Sequence, residues 1–342
     1  MEEKKPKADI SHFEAGLSEM IGQRQVIDPL LVYVRAYRNI KSGSSNPTAS
    51  FGPTIFAGPA GVGKTLTAKS LHRELGNREL VETNGLSMND KFELFSVLIC
   101  ARADTTVFID EAQGMNSKAQ HILLTALSEK KLYVPNSMSS TSSCTLPLAN
   151  FTVILATTHE YLLQDALRNR MKIYCRFEYY STEDLTEIVC QRADALNWKY
   201  ESDRVLQVIA RGAKGTPRLA LNRNLETCWY VTRSHNRNVM NLQDVQEAFH
   251  YLQIDEFGLD KLDRSYLMVL RESGRSRLSV LSSRLSLPSL TLQRVLEPYL
   301  LKEGLIIRDD SSIRVITRKG RQYLETTSPL FGQATIGEAH GT

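Results

Sequence analysis

TIFAGPAGVGKTLTAKSLHREL, residues 54–75, carries the reading of the fold. TIFAG (54–58) is a short apolar run of the kind that buries as a central strand, and TLTAKSLHREL (65–75) continues as a helical pattern. Between them GPAGVGKT, Gly58 to Thr65, satisfies G-x-x-x-x-G-K-[ST]. Gly58, Gly61 and Gly63 let backbone N–H groups turn inward around phosphate oxygens where a Cβ would clash, at the positive end of a helix. Lys64 is placed to reach the β and γ phosphates of a nucleotide, and the Thr65 hydroxyl to ligate Mg²⁺. VFIDEA (107–112) supplies the second half: apolar residues that bury as a strand, then two carboxylates at its carboxyl end, where open α/β sheets bind ligands. Asp110 is expected to hold the Mg²⁺ shell, and Glu111 to orient and deprotonate an attacking water.

Working outward, LVET (80–83), TVFID (106–110), FTVILATT (151–158) and KIYCRFEY (172–179) are further short strands separated by helical stretches. That alternation implies an α/β domain, a P-loop parallel sheet covered by helices, over residues 13–180. KKLYVPNSMSSTSSCTLPLANF (130–151) has a Ser/Thr-rich middle between apolar ends and reads as a hairpin or a mobile surface loop. From Ser181, a plausible N-cap, to residue 257 the strand signals vanish, and a small all-helical domain is expected. Residues 258–326 read as three helices followed by LIIRDDSSIRVIT, two strands around a tight turn, the pattern of a winged helix. Residues 1–12 are expected to form a loose arm and 327–342 a frayed tail.

The 342 residues suggest two or three domains, and 42% hydrophobic with 23% charged residues excludes wholesale disorder, collagen and coiled-coil rods. Net charge is only +4, but residues 258–325 hold 13 Lys and Arg against 8 Asp and Glu, so the basicity is concentrated in the winged-helix segment. The five cysteines lack C-x-x-C spacing and the seven histidines lack an i, i+4 pair, which argues against zinc knuckles and disulfide frameworks. No apolar run is long enough for a membrane span and MEEKKPKADI is a charged start, so a cytoplasmic protein without membrane attachment is expected.

These residues resemble the AAA+ ATPases and, within them, the RuvB family, which drives branch migration of Holliday junctions. Besides the P-loop and DEAQ (110–113), the resemblance rests on MIGQ (20–23), ILATT (154–158), DALRNRMKIYCRFEYYSTEDL (165–185), GTPRLALNRNL (215–225), GLDKLDRSYL (258–267) and EPYLLKEGLIIR (297–308). It implies ATP and Mg²⁺, a helical lid at 181–257, and a homo-oligomeric ring, a hexamer in the family. Arg170 falls where the family places an arginine finger acting on the neighbouring subunit's ATP, with Arg168 as the adjacent alternative. Arg218 matches the second sensor, with Pro217 and Tyr180 beside the nucleotide; Thr157 or Thr158 corresponds to the first sensor. Ile21 and Leu66 take nucleotide-contacting positions, and Arg308 and Arg314 match DNA-contacting arginines of the wing. Double-stranded or four-way-junction DNA is the implied partner.

The sequence also departs from the family. HFEAG (12–16) replaces an Arg-Pro-Lys segment that helps enclose adenine, Leu66 replaces a second Thr, and His159 stands where Arg is usual. The hairpin that carries exposed apolar residues for a RuvA partner reads PNSMSSTSSCTLPL here, polar around Met138, which counts against dependence on RuvA. Two further readings share the ATPase motifs: an ATP-switched loader or adaptor that does not translocate, and a DNA-binding regulator with a vestigial site.

Overall fold

Thr54–Ala57 (β1) is buried at every residue, as a strand covered on both faces must be. It lies inside a five-stranded parallel sheet with Glu79–Asn84 (β2), Thr105–Asp110 (β3), Thr152–Thr157 (β6) and Ile173–Arg176 (β7), in the order β2-β3-β6-β1-β7. The computed structural model describes residues 16–43, 50–135 and 143–326. The expected N-terminal arm and C-terminal tail, and the hairpin tip around Met138, lie outside the described residues.

Helices Arg24–Gly43 (α1), Lys64–Leu75 (α2), Lys91–Cys100 (α3), Ser117–Glu129 (α4) and Asp165–Arg170 (α5) accompany the sheet. Leu98, Leu123 and Leu167 bury against Val107, Ile109, Val153 and Leu155. The hairpin expected over 130–151 forms through its arms, Lys131–Pro135 (β4) and Ser143–Pro147 (β5), paired antiparallel from Lys131↔Pro147 to Pro135↔Ser143. Leu132 at its base belongs to the same core, so the arms are anchored to the domain.

The chain divides into two compact units, Met1–Tyr180 and Ser181–Thr342. Ser181 does cap the first helix of the second unit, its hydroxyl accepting from Asp184 N at 3.0 Å. That helix, Thr182–Ala195 (α6), is followed by Asp203–Arg211 (α7), Pro217–Leu219 (α8), Glu226–Ser234 (α9) and Leu242–Tyr251 (α10). A π-helical turn, Ala220–Leu225, joins α8 to α9 without a break. One detail departs from the all-helical expectation: Lys199–Tyr200 (β8) and Val239–Met240 (β9) form a two-residue parallel pair.

The winged helix comprises Lys261–Ser273 (α11), Leu278–Leu285 (α12), Ser289–Thr291 (α13) continuing through a π turn into Glu297–Lys302 (α14), and Arg318–Thr326 (α15). Its sheet has the order β10-β12-β11, with Arg275–Ser276 (β10) added to the expected ribbon of Ile306–Arg308 (β11) and Arg314–Ile316 (β12). Within this second unit the helical segment and the winged helix are tightly joined. Gly258 has φ +75°, and a Cβ there would lie 2.3 Å from the Gly212 carbonyl oxygen. The Arg211 guanidinium sits 4.3 Å from the Phe257 ring centroid, and the Lys214 ammonium pairs with buried Asp263. No helix of the described residues is long and apolar enough to cross a membrane.

Candidate nucleotide-hydrolysis site

Strands β1, β6 and β3 are neighbours, so the groups at their carboxyl ends converge on one edge of the sheet. The loop leaving β1 needs its glycines: Gly58, Gly61 and Gly63 have φ of 152°, 77° and 97°. A Cβ on Gly58 would stand 2.4 Å from the Phe177 carbonyl oxygen, so that position tolerates no side chain. The Lys64 ammonium folds back over the loop, donating to the carbonyls of Gly58 at 2.8 Å and Pro59 at 2.7 Å. Leu66 is half-buried in the first turn of α2.

The Thr65 hydroxyl donates to Asp110 Oδ2 at 3.0 Å across the gap between β1 and β3. A hydroxyl and a carboxylate side by side, both oxygen donors, fit a hard divalent cation that keeps most of its waters. Asp110 Oδ1 accepts from the Glu111 amide at 2.9 Å, which holds the carboxylate at the strand end. Glu111 itself is left-handed, φ 45° and ψ 46°, a conformation that costs a non-glycine residue about 1–2 kcal/mol. Its turn is closed by Gly114 N donating to Glu111 O at 2.8 Å.

At the end of β6 the two threonines have different partners. Thr157 is buried and its hydroxyl donates to Gln113 Oε1 at 2.6 Å. The Thr158 hydroxyl reaches Glu111 Oε2 at 3.1 Å and also takes a hydrogen bond from Gln113 Nε2 at 2.9 Å. Of the two threonines, Thr158 is therefore the one that touches Glu111.

Tyr180 stands beside the P-loop, its hydroxyl donating to Val62 O at 3.3 Å. Ile21 is half-buried, two residues before Gln23, whose amide brackets Glu178: Nε2 donates to its carbonyl at 2.6 Å and Oε1 accepts from its N–H at 3.2 Å. Arg170, by contrast, makes no hydrogen bond to a P-loop group. Its guanidinium donates to Leu127 O at 3.0 Å and Ser128 O at 3.5 Å, the negative end of α4, while Arg168 pairs with Asp165. Pro217 and Arg218 belong to the second unit, Pro217 as the first residue of α8 and Arg218 exposed just before the π turn.

In the wing, the expectation for Arg314 is corrected. Its side chain is only 6% exposed, and it donates to Glu297 from Nε at 2.9 Å and from Nη2 at 3.2 Å. Glu297 is fully buried, and Tyr266 adds a hydroxyl bond at 2.8 Å. Burial alone would raise the Glu297 carboxyl; the Arg314 and Tyr266 hydrogen bonds overcome it and hold the group below its ordinary value. Arg314 is thus turned into the core as the partner of a buried carboxylate rather than out to solvent. Arg308 also pairs with Glu297 but leaves 34% of its side chain in solvent. Gln113 and Glu297 lie inside DEAQ (110–113) and EPYLLKEGLIIR (297–308), but nothing in those strings singles out either residue.

Residues 14–177 match the family described as the Holliday junction DNA helicase RuvB P-loop domain, and residues 256–325 match the RuvB C-terminal winged helix domain. The chain is 31% identical over 310 residues to the Holliday junction branch migration complex subunit RuvB of Wolbachia sp. subsp. Brugia malayi (strain TRS), covering 90% of this chain and 92% of that one. A solved structure of the Thermotoga maritima RuvB Holliday junction branch migration motor is 27% identical, with TM-score 0.76, over 92% of this chain and 98% of that one. A mutant of the same protein gives TM-score 0.78 at 26% identity, over 92% and 99% of the two chains. The Aeropyrum pernix ORC2 protein shares the fold alone, at 15% identity and TM-score 0.52 over 87% and 91%. With more than nine-tenths of a named relative covered at this identity, the chain belongs to the RuvB family of AAA+ ATPases.

Proposed function

We propose that this protein is an ATP-hydrolysing DNA motor that drives branch migration of Holliday junctions in the cytoplasm. The observation that carries the reading is the single sheet edge where Lys64, Thr65, Asp110, Glu111 and Thr158 meet, in a chain that also holds a winged helix. Lys64 and the inward-turned P-loop amides hold the triphosphate at the N-terminus of α2. Thr65 and Asp110 are the residues that would hold Mg²⁺, which supplies charge neutralisation to the β and γ phosphates when bound. Glu111 accepts the proton of the attacking water as general base, and Thr158 keeps its carboxylate oriented. Ile21, Leu66, Tyr180 and Pro217 border the nucleotide, and Arg218 reports the γ phosphate from the lid.

Arg170 completes the site of an adjacent copy, so turnover requires a homo-oligomeric ring, taken as a hexamer. A guanidinium that arrives only with a neighbour stabilises the transferring phosphoryl group and couples successive subunits. Arg308 supplies phosphate contacts to duplex or four-way-junction DNA, which give affinity without reading sequence, as a motor moving along any sequence requires. The Ser-rich, polar sequence of the hairpin, residues 130–151, counts against dependence on a RuvA-like partner.

The test is steady-state ATP hydrolysis with and without duplex DNA. Glu111→Gln is expected to keep ATP binding and lose turnover by about 100-fold or more. Turnover in that variant equal to the parent chain would remove Glu111 as the base. Arg170→Ala is expected to bind ATP normally and to regain turnover when mixed with a Glu111→Gln chain, because each supplies what the other lacks. No recovery on mixing would remove the assignment in trans.

A further inference from the structure

Gln113 lies in the 3₁₀ turn Ala112–Gly114 that follows Glu111, and its side-chain amide spans the catalytic edge. Oε1 accepts from the Thr157 hydroxyl at 2.6 Å, and Nε2 donates to the Thr158 hydroxyl at 2.9 Å and to Glu111 Oε2. Both amide protons and the carbonyl are therefore committed to three residues on two strand ends. Thr158 closes the ring by donating its own proton to the same Oε2. Thr157 accepts in turn from the His159 amide at 3.1 Å, and His159 Nδ1 stands 2.9 Å from the Thr158 hydroxyl. A hydroxyl has one proton, so while Thr158 donates to Glu111, the proton between Thr158 and His159 must come from the ring. Meanwhile Glu111 Oε1 accepts no hydrogen bond from the described residues, which leaves that oxygen for the proton of a water.

We propose that Gln113 is a positioning residue that ties the Glu111 carboxylate to both threonines at the end of β6, so that movement of that strand end is passed directly to the general base. The inference rests on the proposed role of Glu111 and deepens it. A carboxylate on a strained left-handed residue with one solvent-facing side chain has little else to fix it. Two donors on one oxygen orient the other toward the reacting water. A ligand that draws the Thr157–Thr158 end away from β3 then swings the base through the Gln113 amide. The side-chain hydrogen bonds of Gln113 go to Glu111, Thr157 and Thr158, so its effect on the base runs through Glu111.

The experiment compares the parent chain with Gln113→Ala, Gln113→Glu, Thr158→Val and the Gln113→Ala/Thr158→Val double variant, with Glu111→Gln as control. Turnover is measured as kcat and KM, alongside the Kd of a non-hydrolysable ATP analogue. Gln113→Ala is expected to lower kcat about fivefold or more while analogue Kd stays within about twofold. The double variant should fall no more than about threefold below the worse single one, because both changes release the same carboxylate. Gln113→Glu preserves side-chain size but removes both N–H donors and sets a second carboxylate against Glu111, so it should lose at least as much kcat as the alanine variant. A filler role would be satisfied by that near-isosteric residue. The proposal is overturned by kcat in Gln113→Ala within fivefold of the parent, by losses of kcat and analogue affinity of equal size, or by effects that multiply in the double variant. Full turnover in Glu111→Gln would instead remove the base itself, and this inference with it, whatever Gln113 does.

Discussion

Lys64 is buried to 6% exposure, with its ammonium between two loop carbonyls, so the P-loop carries its phosphate-binding charge in place. Charge-assisted bonds from one buried ammonium to a polyphosphate are the strong kind, and Lys64→Ala should raise the Kd for ATP about 100-fold or more, read by fluorescent-nucleotide titration. Unchanged affinity would show that the backbone amides alone hold the phosphates. Gly58 is a structural necessity of a different sort. Its alanine variant would drive a Cβ to 2.4 Å from Phe177 O, and should lose about 2 kcal/mol or more of stability in urea unfolding, with ATP binding lost in parallel. A folded Gly58→Ala chain of parent stability would mean the loop relaxes more freely than this packing allows.

At the level of elements, the two wing arginines stand opposite each other across the ribbon, Arg308↔Arg314, and differ in depth, 34% against 6% of the side chain exposed. Arg314 and Ile316 are the buried residues of β12 while Val315 between them is half-exposed, so Arg314 is turned into the core. Arg314→Ala leaves Glu297 buried without its main partner and should cost about 3–5 kcal/mol, seen as a lower Tm. Arg308→Ala, which removes the more exposed partner of Glu297, should lower Tm less than Arg314→Ala does and weaken DNA binding, with the slope of log K against log salt reduced by about 1. DNA binding unaffected by the loss of Arg308, or a stable Arg314→Ala chain, would reverse these assignments. Glu297 adds a pH signature. Its carboxyl is held below the ordinary 4.5 in the folded chain, so its contribution is present above that pH and is lost as pH falls through the lower folded value. The stability gap between the parent and Glu297→Gln should therefore shrink on acidification below pH 4.5; a constant gap would deny the linkage. The elements themselves were largely legible beforehand. TIFA, TVFID and FTVILATT announce buried parallel strands by their unbroken apolar runs, and the glycine spacing announces the phosphate loop. What stayed hidden needed a partner distant in sequence. Arg314 looks like any surface arginine until Glu297 is seen 17 residues before it, and Gln113 is an ordinary polar residue until β6 brings Thr157 and Thr158 beside it from 44 and 45 residues away.

For the whole molecule, the second unit joins the segment bearing Arg218 to the winged helix through Lys214. Its ammonium lies 3.8 Å from Asp260 and pairs with Asp263, at the start of α11. Asp263 is buried, and that burial raises its carboxyl above the ordinary value while the Lys214 ammonium pulls it back down. Breaking that link should loosen the lid from the winged helix, and Lys214→Ala is expected to lower DNA-stimulated ATP turnover more than basal turnover. Equal loss of both rates would show that Lys214 supports folding alone. The residues and elements converge on ATP hydrolysis at the β1–β3–β6 edge moving DNA. The measurement that tests it most directly is dissociation of a labelled synthetic four-way junction by the purified full chain with ATP and Mg²⁺, with and without a RuvA, and with Glu111→Gln as control. The parent chain is expected to convert junctions into duplex arms in at least one of those conditions, and Glu111→Gln is not. Junctions that stay intact in both while ATP is consumed would contradict it, and would identify the chain as an ATP-switched loader.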